Sequence, residues 1–183
     1  MFSDARSRKV IWIAHCILNQ NSISDGTADY PGGVREVVEF LLKSQIGIAQ
    51  MPCPELHCLG LDRGDPMGAA RSVVVENTRI RAALDRPVSR RILKCLVDSV
   101  VFQMEEYRRH GFTLLGIVGI NRSPSCGVDT TSKNDKEVKG QGIFIEALRR
   151  ELEKRNLHIE IIGIKALETD VSLKKISVLL DGC

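Results

Sequence analysis

The sequence has few aromatic residues and no long apolar run. Aromatic side chains make up 4% of its 183 residues, so it offers few rings on which the bases of single-stranded nucleic acid could stack. Acidic and basic residues are interspersed, and the formal net charge of +3 does not come from one basic tract. No apolar stretch reaches the roughly 18 residues of a membrane-spanning helix. We therefore expect a protein that binds neither nucleic acid nor a membrane.

Targeting and linker signals are also lacking. The charged start MFSDARSRK precedes the apolar segment VIWIAHCIL, but this segment is short, contains His15 and leads to no small-residue cleavage site. We therefore expect a cytoplasmic protein without a signal peptide. The sequence contains no internal repeat, no low-complexity tract and no linker rich in proline, glycine or serine. One domain covering residues 1–183 is the organisation that we predict.

Short apolar segments alternate with amphipathic ones along the chain. We predict strands at residues 9–15, 46–51, 112–120 and 158–164, and helices at 34–43, 87–110, 143–155 and from 170 onwards. Residues 72–80 have no clear pattern, and the charged run 133–139 (KNDKEVK) is interpreted as a solvated loop. Strands that alternate with helices are typical of a parallel sheet covered on both faces. We therefore predict an α/β fold, a Rossmann-like three-layer sandwich with a mostly parallel sheet of about four strands in the order 2-1-3-4.

The cysteines do not have the pattern of a disulfide framework or of a zinc finger. A chain without an export signal has little use for disulfides, and no CxxC pair occurs. Cys16, Cys53 and Cys126 each follow a predicted strand. Because parallel strands end at the same edge of a sheet, we expect the three thiols to converge there. The alternative is that each is a small buried hydrophobe, as free cysteine often is.

The remaining cysteines do not enter this predicted site. Cys95 lies in a helical pattern and is assigned to packing, Cys58 is a spare ligand or a bystander, and Cys183 has no informative context. Three converging thiolates suit a soft metal centre. A 4Fe-4S cluster with three cysteine ligands leaves one iron free to bind a substrate, which makes that iron a Lewis acid.

Five motifs together resemble the thiouracil desulfidase (TudS) family. They are HCILNQNS at 15–22, CPEL at 53–56, GLDRGDP at 60–66, SPSCG at 123–127 and GQGIFIEAL at 140–148. The resemblance covers residues 9–164 and implies a small α/β enzyme with a 4Fe-4S cluster on three cysteines, which replaces the sulfur of a thiolated nucleobase with a carbonyl oxygen. Carried over to this sequence, the cluster ligands are Cys16, Cys53 and Cys126.

The resemblance also implies catalytic residues. The family's acidic residue corresponds to Glu55, and its serine corresponds to Ser123 or Ser125. A carboxylate and a hydroxyl beside the cluster could move protons between the attacking water and the departing sulfur. Alternatively, Glu55 caps a turn and the serines bond to their own loop. Asn19, Asn21 and Asn121 either orient the substrate or satisfy turns.

Two segments, residues 17–33 and 67–86, differ from the family pattern. Because these segments would contact the substrate, the resemblance does not specify thiouracil itself. We therefore expect a small thiolated nucleobase or a related thiocarbonyl compound as the substrate. Three other interpretations stay open at this point. They are a 4Fe-4S-dependent lyase or activator that binds an oxygen ligand, a non-catalytic iron-sulfur sensor whose partner contacts residues 133–139, and a zinc ion with three cysteines and a water. A cluster open at one iron is labile in air, so aerobic purification could leave zinc or an empty site.

Overall fold

The strands of the parallel sheet form from apolar, β-branched segments of the sequence. The computed structural model describes residues 2–182, so Cys183 lies outside the described residues. The strands are β1 (Lys9–Ile13), β2 (Gly47–Gln50), β3 (Thr113–Ile120), β4 (Thr130–Lys133), β5 (Lys136–Lys139) and β6 (Ile161–Ile164). Four of them form a parallel sheet in the order β2-β1-β3-β6. Since β6 is the fourth strand of this sheet, the predicted order 2-1-3-4 is confirmed.

Helices connect the strands and cover both faces of the sheet. They are α1 (His15–Leu18), α2 (Arg35–Lys43), α3 (Pro54–Leu59), α4 (Val73–Leu84), α5 (Pro87–Arg109), α6 (Ile143–Lys154) and α7 (Thr169–Asp181). Helix α2 packs against α7, while α5 packs against α3, α4 and α6. The four predicted helices correspond to α2, α5, α6 and α7, and their ends differ from the prediction by about one residue. The predicted α/β sandwich is therefore confirmed.

The centre of the core lies on β1, between the two helical layers. Ile11, Trp12 and Ile13 are fully buried, because both faces of this strand are covered. The ring of Trp12 lies edge-on to the ring of Tyr107 from α5, with 5.7 Å between the ring centroids. Within residues 2–182, no helix is both long enough and apolar enough to cross a membrane.

The interpretation of residues 133–139 as a loop was wrong. Strands β4 and β5 pair as an antiparallel hairpin, and its turn residues Asn134 and Asp135 have φ values of 53° and 57°. Two successive residues with positive φ are typical of a tight hairpin turn, and asparagine and aspartate accept this conformation better than most residues. Residues 72–80, which had no clear pattern, lie almost entirely in α4.

Candidate functional site

The three predicted cysteine ligands lie at one edge of the sheet. Cys16 is in α1 immediately after β1, Cys53 precedes α3 after β2, and Cys126 lies in the loop after β3. These strands are neighbours and parallel, so their carboxyl ends meet. All three cysteines line one cavity of about 270 Å³. Glu55, Ser123 and Ser125 line the same cavity, so the structure brings together every residue predicted for the site.

The SPSCG loop is held by close contacts between its backbone and two glycines. A Cβ atom at Gly142 would lie 2.3 Å from the carbonyl oxygen of Ser125, and one at Gly119 would lie 2.5 Å from that of Cys126. Real Cβ atoms essentially never come this close. Glycine is therefore required at both positions, and the peptide between Ser125 and Cys126 has little freedom to move.

Asn121 organises the segment that follows this loop. Its Oδ1 accepts hydrogen bonds from the backbone N–H groups of residues 128–130, and its Nδ2 donates to Asp129 at 2.9 Å. Asn121 therefore satisfies a turn, which was one of its two predicted roles. Asn19 does the same on a smaller scale, because its Oδ1 accepts from the backbone N–H of Asn21.

Glu55 is the polar centre of the cavity and is 7% exposed. Its Oε1 accepts a hydrogen bond from Ser125 Oγ at 2.6 Å and a long one from Ser123 Oγ at 3.5 Å. The two hydroxyl oxygens are themselves 3.1 Å apart, and Ser24 Oγ donates to the other carboxylate oxygen at 3.3 Å. The serines thus bond to Glu55 and not only to their own loop. Glu55 does not cap α3, because that role belongs to Cys53, whose Sγ accepts from the backbone N–H of Leu56 at 3.4 Å.

Arg63 completes the environment of Glu55. Its Nε donates to Glu55 Oε2 at 3.1 Å, and the two side chains are 2% and 9% exposed. Arg63 was not predicted as a site residue, since GLDRGDP has neither helical nor strand periodicity. The signal that could have found it is an arginine between two glycines, Gly60 and Gly64, shortly after the CPE motif.

The three thiols lie in an environment that opposes their ionisation. Burial raises the pKa of Cys16 to about 12 and that of Cys53 to about 11, and the nearby Glu55 carboxylate adds to both shifts. Burial also raises the pKa of Cys126, and the other two cysteines contribute to this shift. A positively charged ligand in the cavity would reverse these effects, because coordination to a metal deprotonates a thiol outright. The donor set therefore fits a cationic, thiophilic group.

His15 also lines the cavity, but one of its ring nitrogens is enclosed by the protein. Its Nε2 is enclosed and has no hydrogen-bond partner within residues 2–182, although His15 lines the cavity. Burial lowers the pKa of His15, and the charges of His57 and Arg63 lower it further.

A mononuclear metal centre is not preformed among the described residues. In the part of the chain that the structure describes, no group of three His, Cys, Asp or Glu side chains is arranged to hold one ion.

Comparison with known proteins places the chain in a family. No family model matches the sequence. Uncharacterized protein MJ0003 of Methanocaldococcus jannaschii is 30% identical over 165 residues, which cover 90% of this chain and 91% of that protein. The chain belongs to the MJ0003 family. A solved structure described as the 4Fe-4S-dependent thiouracil desulfidase TudS matches 96% of the chain, with 12% sequence identity and a TM-score of 0.49. A likeness of this degree does not assign the activity of TudS to the MJ0003 family.

Proposed function

We propose that this protein is a 4Fe-4S-dependent desulfidase that acts on a small thiolated nucleobase or a related thiocarbonyl compound. The observation that carries the proposal is the meeting of Cys16, Cys53 and Cys126 with Glu55 in one cavity at the ends of three parallel strands. The motif resemblance to the TudS family supports the same assignment for these residues. We place the reaction in the cytoplasm as part of this proposal.

In this proposal Cys16, Cys53 and Cys126 hold the cluster. When bound, the cluster supplies one iron without a protein ligand, and this iron is a Lewis acid for the sulfur of the substrate. Three cysteines at the ends of three separate strands can present their thiols to one compact group, because the sheet aligns them. Cys58 is not among the residues that line the cavity; its Sγ instead donates to the carbonyl oxygen of Ser89 at 3.7 Å.

The proposed reaction is a hydrolysis without any change in oxidation state. The thiocarbonyl compound and one water give the carbonyl compound and hydrogen sulfide, so the attacking oxygen loses two protons and the departing sulfur gains two. Glu55 is the side chain that accepts and returns a proton. The hydrogen-bonded chain from Glu55 Oε1 through Ser125 to Ser123 gives this proton a route along the cavity wall.

The cavity walls indicate how a small planar compound would be held. Apolar surface is provided by Ile23, Val73, Ile120, Ala166 and Leu167, which can cover the faces of a ring. Polar side chains occupy the region around Glu55, where they can exchange hydrogen bonds with ring substituents. A cavity of about 270 Å³ admits a small molecule, while a folded macromolecule is far too large to enter it.

The first experiment is anaerobic reconstitution with iron and sulfide. We expect about four irons and four sulfides per chain, and a brown protein. Replacing Cys16, Cys53 and Cys126 together with alanine should abolish iron binding, because the cluster loses every protein ligand. Cys58→Ala and Cys95→Ala are the matched controls and should retain the iron of the wild type, because neither residue lines the cavity.

The second experiment measures sulfide release from 2-thiouracil, other thiolated pyrimidines and thioamides. Release by the loaded protein supports the desulfidase, whereas stable iron binding without release from any compound would favour a sensor. A protein that takes up one zinc ion but no iron would favour the zinc interpretation. The proposal fails if the wild type binds no iron anaerobically, or if the triple cysteine variant keeps its iron.

A further inference from the structure

Arg63 is buried beside the proposed reaction site, and this is unusual for its residue type. It is 2% exposed, and no other arginine or lysine among residues 2–182 is buried to this degree. Arginine is almost never fully buried unless it is paired, because removing its charge from water is costly. The position of Arg63 against Glu55 therefore suggests a role in the site as well as in the fold.

The guanidinium of Arg63 is held from several sides. Its Nη1 donates to the carbonyl oxygens of Gly60 and Leu61 at 2.7 and 3.3 Å, and its Nη2 donates to that of Ser22. Its backbone has a φ of 55°, in the left-handed region that is costly for a residue other than glycine. The turn that contains Arg63 thus adopts an unfavourable conformation in which the side chain is fixed against Glu55.

The contacts of Glu55 differ between its two oxygens. Oε2 accepts hydrogen bonds from Arg63 at 3.1 Å and from Ser24 at 3.3 Å, so both of its lone pairs have a partner. Oε1 accepts from the hydroxyls of Ser125 and Ser123, and the partners of both oxygens line the cavity. The carboxylate therefore has one oxygen that is held by the charged guanidinium of Arg63, and one oxygen whose partners are neutral hydroxyls.

We propose that Arg63 is a positioning residue, which anchors Oε2 of Glu55 so that Oε1 is the oxygen that exchanges protons with the substrate. This inference rests on the proposed desulfidase function. The planar guanidinium of Arg63 bonds Glu55, Gly60 and Ser22 at the same time. The ammonium group of a lysine cannot reproduce that geometry. Arg63 Nη2 also lies 4.0 Å from Cys53 Sγ, so the positive charge stands close to a cluster ligand.

The test compares Arg63→Gln, Arg63→Lys, Glu55→Gln and the double variant Glu55→Gln/Arg63→Gln after anaerobic reconstitution. We expect Arg63→Gln to keep its iron and its KM but to lower kcat by about 10²-fold, since a displacement of about 1 Å in a catalytic group has such an effect. Arg63→Lys should recover part of that loss. In the Glu55→Gln background, the Arg63→Gln change should cost about twofold or less in single-turnover rate, because its effect acts through Glu55.

A second measurement does not depend on turnover. Redox titration should give a lower reduction potential for the cluster in Arg63→Gln than in the wild type, because a positive charge near Cys53 has been removed. Arg155→Gln is the control, since Arg155 forms ion pairs with Glu105 and Glu151 outside the cavity. We expect wild-type kcat and reduction potential for this control.

Several results would overturn the inference. They are a wild-type kcat in Arg63→Gln, an unchanged reduction potential, or an undiminished effect of Arg63→Gln in the Glu55→Gln background. If Arg63→Gln alone does not fold because Glu55 is left without its partner, two other comparisons replace it. The double variant compared with Glu55→Gln tests the change in the reduction potential of the cluster. Arg63→Lys compared with the wild type tests the loss of kcat. Failure of the wild type to bind iron or release sulfide would reject the proposed function and this inference together, whereas an active wild type with an equally active Arg63→Gln would reject only the inference.

Discussion

Replacement of Gly142 by alanine is a direct test of how rigidly the SPSCG loop is held. The added Cβ would lie 2.3 Å from the carbonyl oxygen and 2.4 Å from the carbonyl carbon of Ser125, and 2.9 Å from the backbone nitrogen of Cys126. All three are backbone atoms, so no side chain can rotate to relieve the contact. The N-terminus of α6 or the peptide between Ser125 and Cys126 has to move.

The size of this movement follows from the contact distances. Ordinary contact begins near 3.4 Å, and the Cβ would stand at 2.3 Å, so the separation has to grow by about 1 Å. Overpacking of this kind costs about 1–3 kcal/mol of the free energy of unfolding. A shift of about 1 Å at Cys126 and Ser125 would also misplace the proposed cluster ligand and the proposed catalytic hydroxyl, with an expected loss of about 10²-fold in kcat.

Urea denaturation measures the loss of stability in Gly142→Ala. Iron analysis after anaerobic reconstitution measures the effect of displacing Cys126. Gly142→Ala should lower the free energy of unfolding, and it should bind less iron per chain than the wild type. Gly32→Ala is the control, because a Cβ at Gly32 meets no atom within 4 Å and its backbone has no positive φ. Wild-type stability together with wild-type iron content in Gly142→Ala would refute the close approach between α6 and the loop.

Two further predictions concern the side chains that hold the loops around the cavity. Hydrogen bonds from Arg79 and Arg71 keep the pKa of Glu76 below its usual 4.5. The bonds of Glu76 to these arginines therefore stabilise the folded state fully above pH 4.5. This stabilisation is lost as the pH falls through the pKa of Glu76 in the folded state. Glu76→Gln should lower the free energy of unfolding by about 1.5–3 kcal/mol at pH 7. Urea titrations should show that the difference from the wild type becomes smaller below pH 4.5. A difference that does not depend on pH would contradict the ion pairing. Asn121→Ala leaves the N–H groups of residues 128–130 without their acceptor. It should therefore lower the free energy of unfolding by about 1–3 kcal/mol and lower the Tm in calorimetry. An unchanged Tm would show that the turn does not need this amide.

The parallel sheet could be predicted because its strands are buried on both faces. Residues 10–13 of β1 and 115–119 of β3 are almost fully covered, and such strands read as continuous apolar runs. The hairpin of β4 and β5 could not be predicted in this way, because Val138 is the only apolar residue of KNDKEVK. Its stability comes from contacts with α4, including hydrogen bonds from Asn77 to Ser132 and from the backbone of Asp135 to Thr78.

The candidate site was predictable in part, for a related physical reason. The positions of Cys16, Cys53 and Cys126 after successive parallel strands follow from the topology, so their convergence at one edge could be anticipated. The anchoring of Glu55 by Arg63 depends on a turn with a left-handed residue at Arg63. No periodic pattern in the sequence reports such a turn, and the partner of a buried carboxylate emerges only when the loops are packed.

The order of the sheet also determines when, during synthesis, the site can first exist. Cys16 and Cys53 leave the ribosome before Cys126, but their strands are only two of the three that must lie side by side. Strand β3 and the loop with Cys126 emerge much later, after the long helix α5. A nascent chain that lacks β3 therefore has unpaired thiols and no complete binding site. A prosthetic group that needs all three thiols can be bound only after β3 and the loop with Cys126 have been made, and its retention then reports on the pairing of three strands.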